Sequence, residues 1–370
     1  MERITVLSIG SDRMMADVNS RVAERARLYG KAFHKMYTIV FSLKQHHTPQ
    51  QVSLGKNIEL FFTNSNHRSS YIFDALHIAK KIIQQSQNNT LVISTQDPFE
   101  AGLVGLLLSK KFNIPLHVQI HTDIGSTFFR TQSILNRVRL FIARFVLKQA
   151  KGVRVVSPGI KKYLVETYGM SESQITVLPI TGNFQPMPRH EPTEYYVLMV
   201  SRLEKEKRID RALQIFKEVL VKKPDLILKI AGKGREEKKL KQLVKKIGIE
   251  NNVQFLGDVQ DVALLYAQAS CLLHAAAYEG FGMVLYEAMQ TGCPIVTTRV
   301  GIASDLQEKH YDITVCDLKD TDKMSRAIEF YASEFKKSHP VNLEFVASDK
   351  DIYIKHYVQS ICQALGTKLV

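Results

Sequence analysis

Two glutamates and two glycines stand close together in the run HAAAYEGFGMVLYEAMQTGCPIVTTR, residues 274–299. Its pattern predicts a strand, a loop, a short capped helix and another strand. Gly280 and Gly282 allow a ligand close to the backbone, and the free N–H groups at the helix start favour an anion. Glu279 precedes the helix and Glu287 lies inside it, at most about 12 Å away. This arrangement suits a diphosphate or sugar hydroxyls, with the carboxylates at two parts of one extended ligand.

The elements that must position these residues alternate between strand-like and helical patterns along the whole chain. That order predicts an α/β protein built from repeated βα units on parallel sheets. A Pro-rich polar stretch, residues 181–194, separates two such series. We expect two doubly wound Rossmann-like domains, residues 1–185 and 186–351, with a helix over 352–370 packing back on the first. Because open α/β sheets bind ligands at strand carboxyl ends, function is expected at a cleft between the domains, with a hinge over 182–192.

The composition is that of a folded, non-membrane chain. Its 370 residues are 45% hydrophobic and 23% charged, which fits two globular domains. The longest apolar stretch, near residues 103–108, is well below the roughly 18 residues that span a bilayer. The first residues predict a strand and not a signal peptide. Four cysteines without a Cys-x-x-Cys pair favour buried thiols and a reducing compartment, so we expect a cytoplasmic location.

Most of the net charge of +14 lies in the first half, where residues 1–190 contain 24 Lys and Arg against 11 Asp and Glu. Such a field attracts anionic lipid or nucleic acid. Within this half, residues 133–151 predict a basic amphipathic helix. Its apolar face either packs on the sheet or inserts partly into an anionic membrane surface, which would place the protein at the inner face of the cell membrane. The apolar positions are Leu135, Val138, Phe141, Ile142, Phe145 and Val146.

The segment EGFGMVLYEAM, residues 279–289, resembles the signature of two glutamates separated by seven residues in retaining glycosyltransferases of the GT-B fold, family four, also called group 1. The resemblance implies transfer of a hexose-type sugar from a nucleotide diphosphate sugar to a membrane-associated or polysaccharide-precursor acceptor, lipid-linked or glycan. It also implies that Glu287 binds the ribose. The residues implied at the donor sugar are Glu279, Phe281, Gly282 and Met283.

The segment VSRLEKEKRIDRAL, residues 200–213, resembles the family segment in which an Arg and a Lys five positions later bind the donor diphosphate. The matching residues are Arg202 and Lys207. Fixed cations there would stabilise the negative charge that grows on the diphosphate as it leaves. The chain departs from the commonest family pattern at Ser201 and Arg208, where glycines are frequent.

A third similar segment, residues 229–259, implies the border of the nucleobase site. In the family this border is formed mainly by backbone groups of two turns that follow neighbouring strands. The corresponding residues are Gly232, Asp258 and Val259. The lysines of the intervening helix are interpreted as a solvated face.

Residues 96–123 resemble the acceptor-binding domain of the same family, in which a His after a buried strand lies near the point of sugar transfer. His121 matches, and a structural, hydrogen-bonded His is the alternative. Gly10 ends the first strand, where the family often has paired glycines. The chain has Ser11 next instead, which weakens the assignment of acceptor contacts there.

Other functions remain as alternatives. A nucleotide-sugar epimerase or a phosphorylase on the same scaffold would share the diphosphate cations, and a non-enzymatic basic protein could bind nucleic acid or membrane. No P-loop and no recognised nucleic-acid module occurs in the sequence, so no nucleic-acid partner is expected. The triplets at 320–322 and 349–351 imitate metal-binding patterns by chance. We therefore expect neither a metal nor a cofactor, since the nucleotide sugar is a substrate.

Overall fold

The computed structural model describes residues 4–86, 90–180, 184–192, 194–347 and 349–366. The chain divides into two compact units. Unit 1 combines residues 1–180 with 345–370, and unit 2 is residues 181–344. The boundaries thus fall a few residues before the expected positions at 185 and 351.

Unit 1 contains an eight-stranded sheet. Its strands are β1 (Ile4–Gly10), β2 (Lys35–Val40), β3 (Gln51–Gly55), β4 (Ile58–Phe62), β5 (Thr90–Thr95), β6 (Leu116–Ile120), β7 (Gly152–Val155) and β8 (Ile175–Val177). They lie in the order β3-β4-β2-β1-β5-β6-β7-β8. Its first six helices are α1 (Arg21–Gly30), α2 (Tyr71–Gln85), α3 (Glu100–Phe112), α4 (Thr127–Gln132), α5 (Ile134–Gln149) and α6 (Pro158–Tyr168).

The edge strand β3 corrects the expectation of purely parallel pairing, because it runs antiparallel to β4. Its side chains are mostly exposed, with Leu54 the buried one. A strand with a single buried position lacks the continuous apolar run typical of a parallel strand covered on both faces. That is why the sequence pattern did not indicate it.

Unit 2 contains a six-stranded, fully parallel sheet. Its strands are β9 (Tyr196–Val200), β10 (Ile227–Ala231), β11 (Val253–Gly257), β12 (Cys271–His274), β13 (Ile295–Thr298) and β14 (Ile313–Cys316). Its helices are α7 (Ile209–Leu220), α8 (Glu237–Ile247), α9 (Ala263–Gln268), α10 (Met283–Thr291), α11 (Ala303–Glu308) and α12 (Thr321–Tyr331). The strand order β11-β10-β9-β12-β13-β14 is that of a doubly wound domain, whose switch point lies between β9 and β12. The predicted α/β class is confirmed.

The last helix, α13 (Lys350–Leu365), is part of the core of unit 1. The hydroxyls of Tyr353 and Tyr29 lie 2.8 Å apart, and the Tyr357 and Tyr29 rings stack with centroids 4.2 Å apart. Ser360 Oγ lies 2.9 Å from a ring nitrogen of His117. The final residues of the range expected to pack on this domain, 367–370, lie outside the described residues.

The stretch expected to act as a hinge, 182–192, is partly anchored to unit 2. Arg189 is buried, and its guanidinium donates to the backbone oxygens of Tyr266 (3.0 Å) and Ala269 (2.8 Å). These bonds tie the chain at residue 189 to unit 2, which begins at residue 181. Gly182, where the expected hinge begins, lies outside the described residues.

Two expectations drawn from composition can be compared with the structure. All four cysteines are buried, as predicted. Among the helices of the described residues, none combines the length and the hydropathy needed to cross a membrane.

Candidate functional site

The loops after β9 and β12 lie side by side because these parallel strands are neighbours at the switch point of the unit 2 sheet. The backbone N–H of Ala277, in the loop after β12, donates to the backbone oxygen of Glu206, in the loop after β9 (2.8 Å). The fold therefore brings together two segments that the sequence separates by about seventy residues.

Lys207 and Glu279 meet where these loops touch. Nζ of Lys207 donates to Oε1 of Glu279, and both side chains are largely buried, at 11% and 17% exposure. Nε2 of His274, the last residue of β12, lies 3.2 Å from the same carboxylate oxygen. The sequence analysis did not assign a role to His274, although its position at a strand end five residues before Glu279 was a usable signal.

The electrostatics of Glu279 follow from this arrangement. Burial raises the pKa of its carboxyl, but the nearby His274 and Lys207 lower it more, so that the pKa is about 2. Glu279 is therefore ionised at neutral pH, and a carboxylate accepts hydrogen bonds without donating any. Lys207 has three N–H donors, which leaves donors for an anionic ligand beside the carboxylate.

Arg202 lies at the same edge of the sheet but is more open to solvent. Its side chain is 72% exposed, and Nη2 lies 3.4 Å from Oε1 of Glu206. Burial and Glu206 raise the pKa of Tyr278, the residue before Glu279, to about 12, while Arg202 lowers it. Arg202, Lys207 and Glu279 thus belong to one cluster. An exposed guanidinium in that cluster can turn toward a phosphate.

The glycine-containing loop is shaped by two backbone requirements. Gly282 has φ +84°, in the left-handed region, and immediately precedes α10, whose first residue is Met283. A Cβ on Gly301 would lie 2.1 Å from the backbone oxygen of Phe281, which accepts from Ile302 N (2.9 Å). The loop is therefore held against the segment after β13. The first amide groups of α10 point out of the helix and can hold a negatively charged group.

Glu287 lies on α10, the helix that this loop begins, and is held by a residue from the neighbouring helix. The hydroxyl of Tyr266, on α9, donates to Oε2 of Glu287 (3.0 Å). Burial, and secondly the Glu287 charge, raise the pKa of Tyr266 well above its ordinary value, so it remains a donor. The sequence analysis missed Tyr266, because the contact between α9 and α10 is a tertiary one without a local pattern.

The predicted nucleobase residues lie further along the sheet, Gly232 after β10 and Asp258 and Val259 after β11. Gly232 follows β10, and its N–H donates to the backbone oxygen of Gly257 (2.6 Å), the residue before Asp258. A Cβ on Gly232 would lie 1.9 Å from the backbone oxygen of Ser201. Gly232 therefore connects two segments. One is the turn with exposed Asp258 and half-buried Val259, and the other contains Ser201 and Arg202.

In unit 1, Gly10 and His121 line one cavity of about 310 Å³ at the carboxyl ends of β1, β2, β5 and β6. Nε2 of His121 lies 3.4 Å from Oε1 of Gln96, and its buried Nδ1 has no hydrogen-bond partner within the described part of the chain. Burial, followed by the charges of Arg154 and Arg25, lowers the pKa of His121 to about 3. His121 is therefore a neutral hydrogen-bonding group at physiological pH.

Asp97 lines the same cavity and was not selected by sequence reasoning. Its Oδ1 accepts from the backbone N–H groups of Phe99 (2.7 Å) and Ala101 (3.2 Å). Burial raises the pKa of Asp97 to about 6, although the bond from Phe99 opposes the rise. The sequence signal was available, since an Asp two residues after a buried parallel strand is at the ligand-binding edge.

The two acidic triplets that imitate metal sites have structural roles. Asp320 accepts from Lys323 N at the start of α12, and Asp349 accepts from Ile352 N at the start of α13. Both are ordinary helix N-caps. In the residues that the structure describes, no group of three His, Cys, Asp or Glu side chains is placed to hold a metal ion.

Each half of the chain matches a family of glycosyltransferases. Residues 183–341 match the family described as Glycosyl transferases group 1, and residues 18–180 match Glycosyltransferase Family 4. The chain is 32% identical over 202 residues to the UDP-N-acetylglucosamine--peptide N-acetylglucosaminyltransferase GtfA subunit of Streptococcus gordonii, covering 53% of this chain and 40% of that protein. It is 35% identical over 129 residues to N-acetyl-alpha-D-glucosaminyl L-malate synthase of Bacillus anthracis, covering 35% of this chain and 34% of that protein. The matches thus span well under half the length of these relatives.

Among solved structures, the chain is similar to sucrose-phosphate synthase from Thermosynechococcus elongatus with a TM-score of 0.68. The match covers 98% of this chain and 97% of that one at 17% identity. At this identity the likeness shows the fold alone, and it confirms the predicted GT-B class of two parallel-sheet α/β domains.

Proposed function

Because the chain belongs to the group 1 glycosyltransferases, we propose that it transfers a hexose-type sugar from a nucleotide diphosphate sugar to an acceptor, with retention of anomeric configuration. The observation that carries this proposal is the cluster of Arg202, Lys207 and Glu279 at the switch point of unit 2. It combines two cations with an ionised carboxylate beside the start of α10.

Each group in the cluster has a chemical role in the proposed reaction. Lys207 and Arg202 stabilise the charge that develops on the diphosphate as its bond to the sugar breaks. Glu279 accepts hydrogen bonds from sugar hydroxyls, and Glu287, positioned by Tyr266, accepts from the ribose. With these cations in place, the reaction needs no metal ion.

Retention is proposed to follow from attack on the face that the diphosphate leaves. The acceptor oxygen forms the new bond to the anomeric carbon while the old bond breaks through an oxocarbenium-like state. The departing phosphate oxygen takes the acceptor proton, so atoms and charge balance without a protein nucleophile. Neutral His121, in the cavity of unit 1, would orient sugar or acceptor hydroxyls by hydrogen bonding.

The donor to test first is UDP-N-acetylglucosamine. The two relatives both have N-acetylglucosaminyl in their names, and one name specifies the UDP sugar. The acceptor is proposed to be lipid-linked or a glycan precursor, presented at the cytoplasmic face of the membrane. We propose that unit 1, whose residues 18–180 match Glycosyltransferase Family 4, sets this choice.

The proposal is tested by product analysis with radiolabelled nucleotide sugars and membrane-derived acceptors. We expect label in a larger product, release of the nucleoside diphosphate, an NMR coupling constant showing the donor's anomeric configuration, and unchanged rate with EDTA. Phosphate-dependent release of sugar phosphate would indicate a phosphorylase, and an altered sugar still bound to the nucleotide would indicate an epimerase. Either result would overturn the proposal.

A further inference from the structure

Helix α5 presents an apolar row to solvent. Five large hydrophobic side chains on it are between 48% and 79% exposed. Large exposed apolar patches are rare on protein surfaces that have no binding partner. They are Ile134, Leu135, Val138, Phe141 and Phe145. At about 100° of rotation per residue, four of them lie within one narrow stripe, and Leu135 flanks it. The opposite side of the helix holds the buried residues Ala143, Val146 and Leu147.

The structure contradicts only one interpretation of the amphipathic helix, the packing of its whole apolar face on the sheet. Val146 packs inward and Ile142 is half-buried, but most of the predicted apolar face points away from the sheet. The contact that buries α5 in unit 1 instead uses the small and aliphatic residues of its other side. The outward row thus has no partner among the described residues of this chain.

A row of cations runs beside the apolar row. Arg137, Arg144 and Lys148 are spaced by seven and four residues, which places them on the same side of α5. In the described chain none of the three forms an ion pair with a carboxylate, whereas Arg139, on the inner side of the helix, pairs with Glu100 at 2.8 Å. The three charges therefore remain available to an external anion.

The cations also form one wall of a cavity of about 820 Å³ between α5 and α6. Arg130 of α4 adds a fourth cation, and Tyr163 and Tyr168 form part of the wall on the side of α6. None of the described residues that line this cavity is acidic. Its chemistry is therefore that of a site for phosphate groups, directly beside exposed apolar side chains.

We propose that the α5 face binds a bilayer of anionic phospholipids. The apolar row enters the interface between headgroups and acyl chains, and the cation-lined cavity holds lipid phosphates. Charge complementarity supports an anionic bilayer over an acidic protein surface. The α5 face combines cations with exposed apolar side chains, as a helix at a membrane interface does. The binding is separate from the proposed transfer reaction and is measured without donor.

The test is sedimentation of the full chain with vesicles of phosphatidylcholine alone or with phosphatidylglycerol. We expect binding to the anionic vesicles that falls with added salt, and weak binding to the neutral ones. The variant Arg137→Ser, Arg144→Ser, Lys148→Ser should lose at least about tenfold in affinity. Phe141→Ser with Phe145→Ser should lose a similar amount without any change of charge.

Two matched controls test whether a lower net charge, or the loss of any exposed aromatic side chain, is enough to weaken vesicle binding. Lys238→Ser, Lys245→Ser, Lys246→Ser removes three cations from α8 of unit 2, and Phe73→Ser removes an exposed aromatic side chain, 72% exposed, from α2. Both should bind anionic vesicles like the wild type. Thermal melting and donor binding of every variant confirm folding, so a failed docking proposal is distinguishable from a failed catalytic one.

Four outcomes would overturn the proposal. The α5 variants could bind vesicles as tightly as the wild type, or the α8 variant could lose as much as they do, which would make the effect one of net charge. The α5 cations could instead bind single-stranded RNA in preference to anionic vesicles. The chain could also form dimers in lipid-free solution that Phe141→Ser dissociates, which would assign the row to a second copy.

Discussion

Lys207 and Glu279, 72 residues apart in the sequence, form an ion pair in the structure. The pair exists because β9 and β12 are adjacent parallel strands, so the loops that follow them share one edge of the sheet. We propose that it prepares the site electrostatically, with the carboxylate kept ionised and the ammonium kept in place before a ligand arrives.

Replacing Lys207 by Ala should lower the rate of sugar transfer at least about 100-fold, because one fixed cation is lost from the leaving diphosphate. The matched control is Lys205→Ala, which removes an exposed lysine two residues away in the same short turn. The measurement is kcat/KM with saturating acceptor. Equal losses in both variants would mean that Lys207 acts only through general charge.

Arg202→Ala and Glu287→Ala should each lower transfer at least about 10-fold, equivalent to about 1.4 kcal/mol. The Arg202 side chain is exposed, so its loss should leave the melting temperature unchanged while the rate falls. For Glu287 the loss should be mainly in donor KM, and Tyr266→Phe should reproduce part of it by releasing one carboxylate oxygen. Full activity in both alanine variants would remove these roles.

Gly301→Ala should disturb the loop before α10 through the backbone. A Cβ there would lie 2.1 Å from the Phe281 oxygen at φ +53°, so the loop before α10 must move. Gly248→Ala is the matched control, since it has φ +72° but open space around its Cβ. We expect both to lose about 1 kcal/mol or more of stability from the left-handed backbone. Only Gly301→Ala should also lose transfer, by about tenfold or more.

Asp97 should make unit 1 less stable as pH rises. Burial raises its pKa in the folded state to about 6 from the ordinary 3.8, so the folded state binds this proton more tightly than the unfolded one. The contribution of Asp97 to the free energy of unfolding should therefore decrease between about pH 4 and pH 6 and level off above pH 6. Asp97→Asn retains an oxygen acceptor for Phe99 and should remove that component.

The pH series is read as the difference in melting temperature between variant and wild type. A difference that stays constant from pH 4 to pH 7.5 for Asp97→Asn would contradict the assignment of a raised pKa to Asp97.

The sequence indicated the fold class because strands and helices alternate in a repeated local pattern, whereas Arg202, Lys207 and Glu279 were selected by their resemblance to family segments. Once strands alternate with helices, Arg202, Lys207 and Glu279 must follow strands of a parallel sheet, and their meeting is a consequence of topology. Tyr266 could not be identified from the sequence, because its contact with Glu287 depends on how α9 packs against α10. The sequence likewise could not predict that the apolar row of α5 faces outward, because periodicity identifies an apolar face but not what packs against it.

The most direct test of the central claim is calorimetric titration of nucleotide sugars, beginning with UDP-N-acetylglucosamine, into the wild type, Lys207→Ala and Lys205→Ala. Binding to the wild type and to Lys205→Ala with similar affinity, and at least about tenfold weaker binding to Lys207→Ala, is the predicted result. Absence of binding for every nucleotide sugar, or identical affinities for the two lysine variants, would contradict a donor site at the Lys207–Glu279 pair.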